Sequence, residues 1–315
     1  MFGQEAGAEL VKHPALQAVG FTGSLAVGKL LHGLASSRPA PIPFYGELGA
    51  LNAAVVFEQA ARSRGAEIAK GLVASFTLGV GQFCTKPGLV LVPATEAGRH
   101  LVDALAQEVS GTTAGKMLSA RTANGYAARA EALRKLDGLS VLAEGAEPSL
   151  DGGYWGRPLL LRAKPEDLAG LVLEECFGPV LVVVDYDGPA QLGELVGRLG
   201  PALTGTVQAD AGDDKEARSV LEQFSSKVGR VVWNGFPTGV AVAWAMHHGG
   251  PYPATVGSIH TSVGQTAIRR WLRPVCYQDV PEALLLPELR DSPGPGDAVP
   301  RRVDGALTSP VQARP

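Results

Sequence analysis

The chain has 315 residues, of which 45% are hydrophobic and 19% are charged, and its formal net charge is −3. A chain of this length can bury a large core as one large or two medium domains, and its composition is that of a compact soluble protein. The small net charge gives no electrostatic reason to expect nucleic acid or an anionic membrane as a partner.

The sequence shows no pattern for membrane insertion, secretion, disulfide bonding or zinc binding. The sequence contains no apolar run of about 18 residues, and its first five residues lack a basic segment before an apolar one. The cysteines Cys84, Cys176 and Cys276 are too scattered for a disulfide framework, and no CxxC or clustered Cys/His spacing indicates zinc. We therefore expect a reduced, cytoplasmic, globular protein without a bound metal.

Hydrophobic periodicity predicts strands that alternate with helices along the chain. The predicted helices cover residues 5–13, 25–34, 58–77, 95–109, 124–136, 213–224 and 263–272. The predicted strands cover residues 16–21, 44–45, 53–57, 89–92, 141–142, 158–161, 178–184, 203–208 and 230–233. Such alternation indicates an α/β sheet built from crossover connections. Residues 290–315 are rich in Pro, Gly, Asp and Arg, which predicts a weakly ordered tail.

Three short turns carry the residues with chemical potential. Cys84 lies in the glycine-rich stretch Gly79-Val80-Gly81-Gln82-Phe83-Cys84, where a thiol can act as a nucleophile, although most free cysteines are only small buried apolar residues. Glu47 follows strand residues 44–45 on a glycine-flanked turn and can supply the base for cysteine chemistry, or it can be a solvated carboxylate. Thr22-Gly23-Ser24 stands between a strand and a helix, where backbone N–H groups can face an anion or Ser24 can serve as an ordinary N-cap.

Four motifs in this order resemble those of the aldehyde dehydrogenase superfamily: Phe21-Thr22-Gly23-Ser24 with Gly28, Glu47-Leu48-Gly49, Gly81-Gln82-Phe83-Cys84, and Glu174-Glu175-Cys176-Phe177-Gly178-Pro179. The longer strings 43–49 and 75–88 resemble the branch that oxidises 2-oxoglutarate semialdehyde (2,5-dioxopentanoate). The likeness extends from about residue 5 to about residue 291.

The resemblance implies a fold, a division into domains and a reaction. It implies an α/β, aldehyde dehydrogenase-like catalytic domain over residues 50–252, with residues 1–49 as the remnant of a Rossmann-type nucleotide-binding domain. Residues 253–289 would hold a return helix and an oligomerisation strand at 273–277, ahead of the tail at 290–315. The implied reaction is NAD- or NADP-dependent oxidation of an aldehyde to an acid in a dimer or tetramer, with the resemblance leaning towards NADP.

The resemblance also implies roles for individual residues. Cys84 would be the nucleophile, with its own backbone N–H as an oxyanion donor, and Glu47 would activate the hydrolytic water. Thr22, Gly23 and Ser24 would contact the cofactor, while Glu175, rather than Glu174, would bind a ribose beside Phe177. Phe83, Phe236 and Asn234 are weak candidates for a substrate tunnel, and Asn234 is alternatively a loop brace. Cys176 and Cys276 are expected to be packing residues, and we predict no catalytic role for His247 or His248.

Part of the family pattern is missing from this chain. No Pro-Trp-Asn-type motif, which carries the second oxyanion donor in the family, occurs in the sequence. Roughly the first two-fifths of a usual member has no counterpart here, so we expect little activity from this chain alone. Two hypotheses follow: an aldehyde dehydrogenase whose sequence start is truncated, or a catalytically inactive relative that acts as an assembly partner. A CoA-acylating dehydrogenase is a third, weaker reading, because that branch releases its thioester to CoA.

Overall fold

A computed structural model describes residues 4–148, 152–291 and 299–308. The chain divides into two compact units, Met1–Trp271 and Leu272–Pro315. Within the described ranges, no helix combines the length and the apolar character needed to traverse a lipid bilayer.

The first unit alternates strands and helices, as predicted. Its strands are β1 (Val19–Gly23), β2 (Phe44–Leu48), β3 (Asn52–Val56), β4 (Pro87–Pro93), β5 (Gly115–Lys116), β6 (Leu139–Glu144), β7 (Trp155–Gly156), β8 (Leu159–Ala163), β9 (Val180–Tyr186), β10 (Ala202–Gln208), β11 (Val228–Trp233) and β12 (Thr255–Val256). Its α-helices are α1 (Gln4–Lys12), α2 (Leu25–Ser36), α3 (Glu58–Thr77), α4 (Glu96–Ser110), α5 (Ala120–Arg134), α6 (Gly188–Arg198) and α7 (Asp214–Lys227).

A seven-stranded sheet with the order β11-β10-β3-β4-β9-β8-β6 forms the centre of this unit. Its strand pairs are parallel except for the antiparallel pair of β6 and β8. Parallel strands covered on both faces read as continuous apolar runs, and every residue of β4 is buried. Alternate side chains of β4 enter two separate core clusters, with Leu89 and Leu91 on one face and Val90 and Val92 on the other.

A smaller sheet with the order β1-β2-β12 lies in the same unit. β1 and β2 are parallel, and β12 pairs with β2 in the antiparallel sense. Val11 of α1, Leu31 and Ala35 of α2 and Phe44 of β2 form its apolar core. The predicted passage from a strand into a helix is confirmed, but Thr22 and Gly23 belong to β1, and Ser24 alone separates β1 from α2.

Several predicted elements differ from the structure. Glu47 is inside β2 and not in a loop, because β1 and β12 flank β2 and satisfy its backbone on both sides. The predicted helix at residues 263–272 is a 3₁₀ helix, Gln265–Trp271. Helix α6 was not predicted, since Gly188 and Pro189 begin it and Gly193 and Gly197 interrupt its apolar pattern. By contrast, α3 has the predicted bounds, and Thr95 caps α4 by accepting a hydrogen bond from the backbone N–H of Gly98.

The second unit is small. It contains two short 3₁₀ helices, Glu282–Leu284 and Pro287–Leu289, and a hairpin of β13 (Arg301–Val303) and β14 (Ala306–Thr308). Residues 273–277, the predicted oligomerisation strand, are extended without a ladder partner in the described part of this chain, so that role stays a prediction. Much of the predicted tail, residues 292–298 and 309–315, lies outside the described residues.

A close backbone contact joins the Cys84 stretch to the Glu175 stretch. Gly81 has φ +66°, and a Cβ at this residue would lie 2.3 Å from the carbonyl carbon of Gly178 and 2.5 Å from the nitrogen of Pro179. A side chain is therefore excluded both by the left-handed backbone and by the neighbouring chain. This contact sets the distance between two of the motifs found in the sequence.

We predict that Gly81→Ala lowers the free energy of unfolding by about 2–4 kcal/mol, through backbone strain and the clash with Gly178. Urea denaturation followed by circular dichroism measures the change. The matched control is Gly125→Ala in α5, where a Cβ meets nothing within 4 Å and should stabilise the helix by up to about 1 kcal/mol. Equal effects of the two substitutions would contradict the proposed close contact.

Candidate active site

The Cys84 turn is held by the sheet that follows it. The backbone N–H of Lys86 donates to the carbonyl of Phe83 at 3.1 Å, which closes the turn just before β4. Buried Asn52 of β3 donates through Nδ2 to the carbonyls of Cys84 at 2.8 Å and Lys86 at 3.2 Å. Its Oδ1 accepts the N–H of Thr204 in β10 at 2.9 Å. Asn52 thus fixes the partly exposed Cys84 at the amino-terminal edge of the large sheet.

Glu47 occupies the middle strand of the small sheet, with 7% of its surface exposed. It is aligned with Thr22 of β1 on one side and with Thr255 of β12 on the other. A buried carboxylate needs hydrogen-bond donors, and two side chains supply them here. Ser262 donates through Oγ to Oε2 at 2.6 Å, and His248 Nε2 lies 3.1 Å from Oε1.

His248 reaches the site on the segment that follows β11. Gly250 lets this segment pass over the start of the large sheet, since a Cβ there would lie 2.3 Å from the carbonyl oxygen of Ala202. A Cβ on Gly249 would lie 3.2 Å from Nε2 of His247, which is also a tight contact. On β11, a Cβ at Gly229 would lie 2.0 Å from the carbonyl oxygen of Gly249. The backbone N–H of His248 donates to Thr261 Oγ1 at 2.8 Å. The sequence predicted no role for His248, although the glycine pair after it was the available signal of a close backbone approach.

These residues meet at one imidazole nitrogen. Nε2 of His248 is 3.2 Å from the Cys84 sulfur and 3.1 Å from Glu47 Oε1. One ring nitrogen presents either an N–H or a lone pair, so it donates to the carboxylate or accepts from the thiol. Sulfur, imidazole and carboxylate atoms all lie within 4.8 Å of one another, a donor set that can also hold a metal ion. The structure thus brings together Cys84 and Glu47, as predicted, and adds His248 and Ser262.

The charges of the cluster are strongly coupled. Burial by itself raises the pKa of Glu47, but hydrogen bonds from His248 and Ser262 outweigh it and leave the pKa below the ordinary value. Burial and the neighbouring charge of Glu47 raise the pKa of Cys84 to about 12. The site therefore holds a carboxylate beside a protonated thiol.

The predicted cofactor turn and Glu175 converge on Gly49. Thr22, Gly23 and Ser24 are exposed at the end of β1, and Ser24 is the N-cap of α2 without a side-chain capping bond. A Cβ on Gly49 would lie 2.5 Å from Glu175 Oε2 and 4.0 Å from the backbone nitrogen of Leu25, at the start of α2. An exposed helix N-terminus whose N-cap serine makes no side-chain capping bond suits a phosphate group. An adjacent carboxylate suits ribose hydroxyls, so these residues fit a dinucleotide.

The half-buried Glu175 and the buried Lys86 bring opposite charges together behind this turn. Burial raises the pKa of Glu175 to about 7, against the opposing effects of the Lys86 charge and the Ala50 backbone N–H. Burial also lowers the pKa of Lys86, whose Nζ donates to the Val180 carbonyl at 3.0 Å. The exposed carboxylate of Glu174 pairs instead with Arg129 at 2.8 Å. Phe177, next to Cys176, has 42% of its surface exposed and is free to pack against a ligand.

The weak tunnel candidates are spread apart. Phe83 is exposed beside Cys84, with its ring against Gly79. Phe236 packs against α3, where a Cβ on Gly71 would overlap its ring, and it joins a core cluster. Asn234 follows β11 at the carboxyl edge of the sheet, opposite to the Cys84 edge, and its amide exchanges hydrogen bonds of 2.9 and 2.8 Å with the backbone of Ala209. The structure thus places Asn234 as a loop brace and not beside Cys84.

A small cavity adjoins the carboxylate. Its volume is about 20 Å³, and Glu47, Ser262 and Thr22 are among the residues that line it. A volume above roughly 10–15 Å³ with several polar groups accommodates one water molecule. The geometry therefore provides a water-sized space next to a carboxylate that is 7% exposed.

The Cys84 thiol and the Glu47 carboxylate thus lie on either side of the His248 imidazole, near an exposed strand–turn–helix. The model of the aldehyde dehydrogenase family matches residues 1–273. The chain belongs to the aldehyde dehydrogenase family, as the sequence motifs predicted.

Two curated relatives cover nearly all of this chain. It is 42% identical over 311 residues to an alpha-ketoglutaric semialdehyde dehydrogenase of Acinetobacter baylyi, with 98% of this chain and 58% of that protein covered. It is 42% identical over 303 residues to alpha-ketoglutaric semialdehyde dehydrogenase 2 of Azospirillum brasilense, with 96% of this chain and 57% of that protein covered. The chain thus spans less than two thirds of the length of these relatives.

Solved structures agree on the fold. A 1-pyrroline-5-carboxylate dehydrogenase matches with a TM-score of 0.70 and 25% identity, over 86% of this chain and 52% of that chain. Proline utilization A from Bdellovibrio bacteriovorus matches with a TM-score of 0.75 and 24% identity, over 88% of this chain and 29% of that chain. The α/β, aldehyde dehydrogenase-like fold predicted from the sequence is therefore confirmed.

We predict that Glu175→Gln changes stability in a pH-dependent way. The pKa of this carboxyl rises from 4.5 to about 7 on folding. Ionisation therefore lowers the free energy of unfolding as the pH rises from 4.5 to 7, and the loss is complete above pH 7. The variant has no charge to bury. Its free energy of unfolding, relative to that of the parent, should therefore rise by about 2 kcal/mol from pH 5 to pH 8. Urea unfolding at both pH values measures this, with Glu174→Gln as the matched exposed control. A difference that stays constant with pH would contradict the buried carboxyl.

We predict that Glu47→Gln speeds alkylation of Cys84 by iodoacetamide roughly threefold to tenfold at pH 8, because removal of the carboxylate charge increases the thiolate fraction. Mass spectrometry of the Cys84 peptide measures the rate, and the exposed Cys276 of the same molecule is the internal control. A slower reaction of Cys84 in the variant would show instead that Glu47 acts as the base for the resting thiol.

Proposed function

We propose that this chain provides the catalytic machinery for NAD(P)-dependent oxidation of an aldehyde to a carboxylic acid, with 2-oxoglutarate semialdehyde as the substrate. The observation that carries the proposal is the meeting of the Cys84 sulfur and Glu47 Oε1 at a single nitrogen of His248, at 3.2 and 3.1 Å. Family membership supports the reaction class, and the names of the two relatives that are 42% identical support the substrate.

Cys84 is the nucleophile in this proposal. Its sulfur forms a bond to the carbonyl carbon, and the carbonyl π electrons move to oxygen, which accepts a hydrogen bond from the backbone N–H of Cys84. Because the resting thiol has a raised pKa, its proton must pass to a neighbour as the bond forms. In the tautomer that leaves a lone pair on Nε2, His248 accepts this proton at 3.2 Å, and the new Nε2–H then donates to Glu47 at 3.1 Å. Loss of a hydride from the tetrahedral carbon then leaves a thioester on Cys84.

Glu47 is the base for hydrolysis of that thioester. A water beside the carboxylate would give its proton to Glu47 and add to the acyl carbon, and the carbon–sulfur bond then breaks. Hydrogen bonds from Ser262 and His248 hold the carboxylate in one orientation for this step. The thiolate takes back the proton held by His248, Glu47 releases the proton taken from water, and the product acid leaves.

Thr22, Gly23, Ser24, Glu175 and Phe177 are the residues that would hold the dinucleotide, which when bound supplies the hydride acceptor. The N-terminus of α2 would face a phosphate, Glu175 would accept from ribose hydroxyls, and Phe177 would pack beside it. Either NAD or NADP fits these contacts, with the resemblance leaning towards NADP. A dimer or tetramer is the proposed assembly, by analogy with the family.

The reaction is tested by following NAD(P)H formation with 2-oxoglutarate semialdehyde. Two proteins are compared: this chain, and this chain joined to the upstream part of the A. baylyi relative that lies outside the match. In the joined protein, Cys84→Ala should lower the rate by at least about 10³-fold, and Glu47→Gln by about 10²-fold with accumulation of acyl-enzyme detectable by mass spectrometry.

Cys276→Ser serves as the control, because this exposed thiol lies in the second unit and should leave the rate unchanged. A Cys84→Ala protein that reduces the cofactor at the parent rate would refute the nucleophile. If the joined protein folds but is inactive with every aldehyde tested, the alternative of an inactive assembly partner takes the place of this proposal.

A further inference from the structure

The catalytic cluster carries a second chemical capacity that the oxidation reaction does not use. Cys84 Sγ, His248 Nε2 and a Glu47 carboxylate oxygen come from the turn before β4, the segment after β11 and strand β2, and all lie within 4.8 Å of one another. Thiolate, imidazole and carboxylate are the three ligand types of protein zinc sites. In the described part of the chain this is the cluster in which all three types meet.

The spacing is close to that of a zinc site. Bonds of roughly 2.3 Å to sulfur and 2.0–2.2 Å to nitrogen and oxygen at tetrahedral angles separate neighbouring ligand atoms by roughly 3.3–3.6 Å. The observed separations are 3.2 Å between sulfur and Nε2 and 3.1 Å between Nε2 and Oε1. The sulfur and the carboxylate oxygen lie within 4.8 Å of each other, and a shift of the partly exposed Cys84 turn would bring the three atoms to the separations that the ion requires.

Surrounding hydrogen bonds orient the ligands. Ser262 Oγ donates to Glu47 Oε2 at 2.6 Å, which leaves Oε1 directed at His248. Thr261 Oγ1 accepts from the His248 backbone N–H, and Ser262 Oγ lies 3.0 Å from the His248 carbonyl oxygen. Such outer contacts fix the direction of ligating side chains and strengthen metal binding. Three protein ligands leave the fourth coordination position of a tetrahedral ion to water.

We propose that Cys84, His248 and Glu47 together bind one Zn²⁺ ion and that this ion reversibly blocks the site. Binding releases the thiol proton, and the divalent charge offsets both the thiolate and the carboxylate. Coordination lowers the nucleophilicity of the sulfur and the basicity of the carboxylate, and the ion takes the space between them in which an aldehyde would react. The binding stands on the geometry alone, whereas the inhibition rests on the proposed function.

Direct titration tests the binding. In buffer with a phosphine reductant, calorimetry with Zn²⁺ should give one site per chain in the parent protein, with affinity at least tenfold lower in Cys84→Ser, His248→Asn and Glu47→Gln. The matched controls are Cys276→Ser, an exposed thiol in the second unit, and His247→Asn, the adjacent imidazole, and both should keep the parent affinity. Unchanged affinity in Cys84→Ser would overturn the proposal.

Cobalt supplies an independent readout. Co²⁺ bound to the parent should show a thiolate-to-metal charge-transfer band in the near ultraviolet, which disappears in Cys84→Ser and persists in Cys276→Ser. Cys84→Ser changes one atom of a partly exposed side chain, so the fold should be retained, and circular dichroism verifies it. A Co²⁺ spectrum without the thiolate band would exclude Cys84 as a ligand and overturn the site.

Inhibition is measured separately in the joined protein. Zn²⁺ should abolish NAD(P)H formation at the concentration that saturates the calorimetric site, and EDTA should restore it. Activity that persists at saturation overturns the blocking role. An inactive protein that still binds Zn²⁺ through Cys84 refutes the proposed oxidation while the metal site stands, so the two failures are distinguishable.

Discussion

The burial of the Glu47 carboxylate is the constraint on which the candidate site depends. A carboxylate in the middle strand of a three-stranded sheet loses its water, and such a loss is costly unless donors replace it. Ser262 and His248 are those donors; His248 lies on the segment between β11 and β12, and Ser262 follows β12. The need to satisfy one buried charge thus ties the small sheet to a loop that leaves the large sheet. His248 is then placed so that the same nitrogen that contacts Glu47 also contacts Cys84.

Glycines make this assembly of distant segments possible. Gly81 lets the Cys84 stretch lie against the backbone of Gly178, and Gly229 and Gly250 let the His248 segment lie against the start of the large sheet. None of these contacts leaves room for a Cβ. Three chain segments that are far apart in sequence therefore approach one another at the amino-terminal edge of the sheet. Their side-chain atoms come within about 3 Å at the contacts of His248 with Cys84 and Glu47.

In the resting state, the charges around the site keep the Cys84 thiol protonated. Burial and the Glu47 carboxylate raise the pKa of Cys84 to about 12, so the thiol stays protonated and poorly nucleophilic. Any added positive charge, whether from a bound ligand or from an ion, stabilises the thiolate and changes that balance. On the other side of Gly49, Glu175 and Lys86 partly offset the cost of burying one another. The reactivity of the sulfur is thus under the control of what binds beside it.

The sequence by itself determined the alternation of strands and helices, the family and two members of the cluster, Cys84 and Glu47. These are properties of local periodicity and of short motifs, which the bounds of α3 and the Thr95 cap of α4 also illustrate. Only the tertiary structure decided that Glu47 is a strand residue, that Asn234 lies at the far edge of the sheet and that His248 and Ser262 complete the site. Those positions depend on which strands become neighbours and on where glycine lets two backbones touch. Such pairings join residues more than 150 positions apart, and no local pattern encodes them.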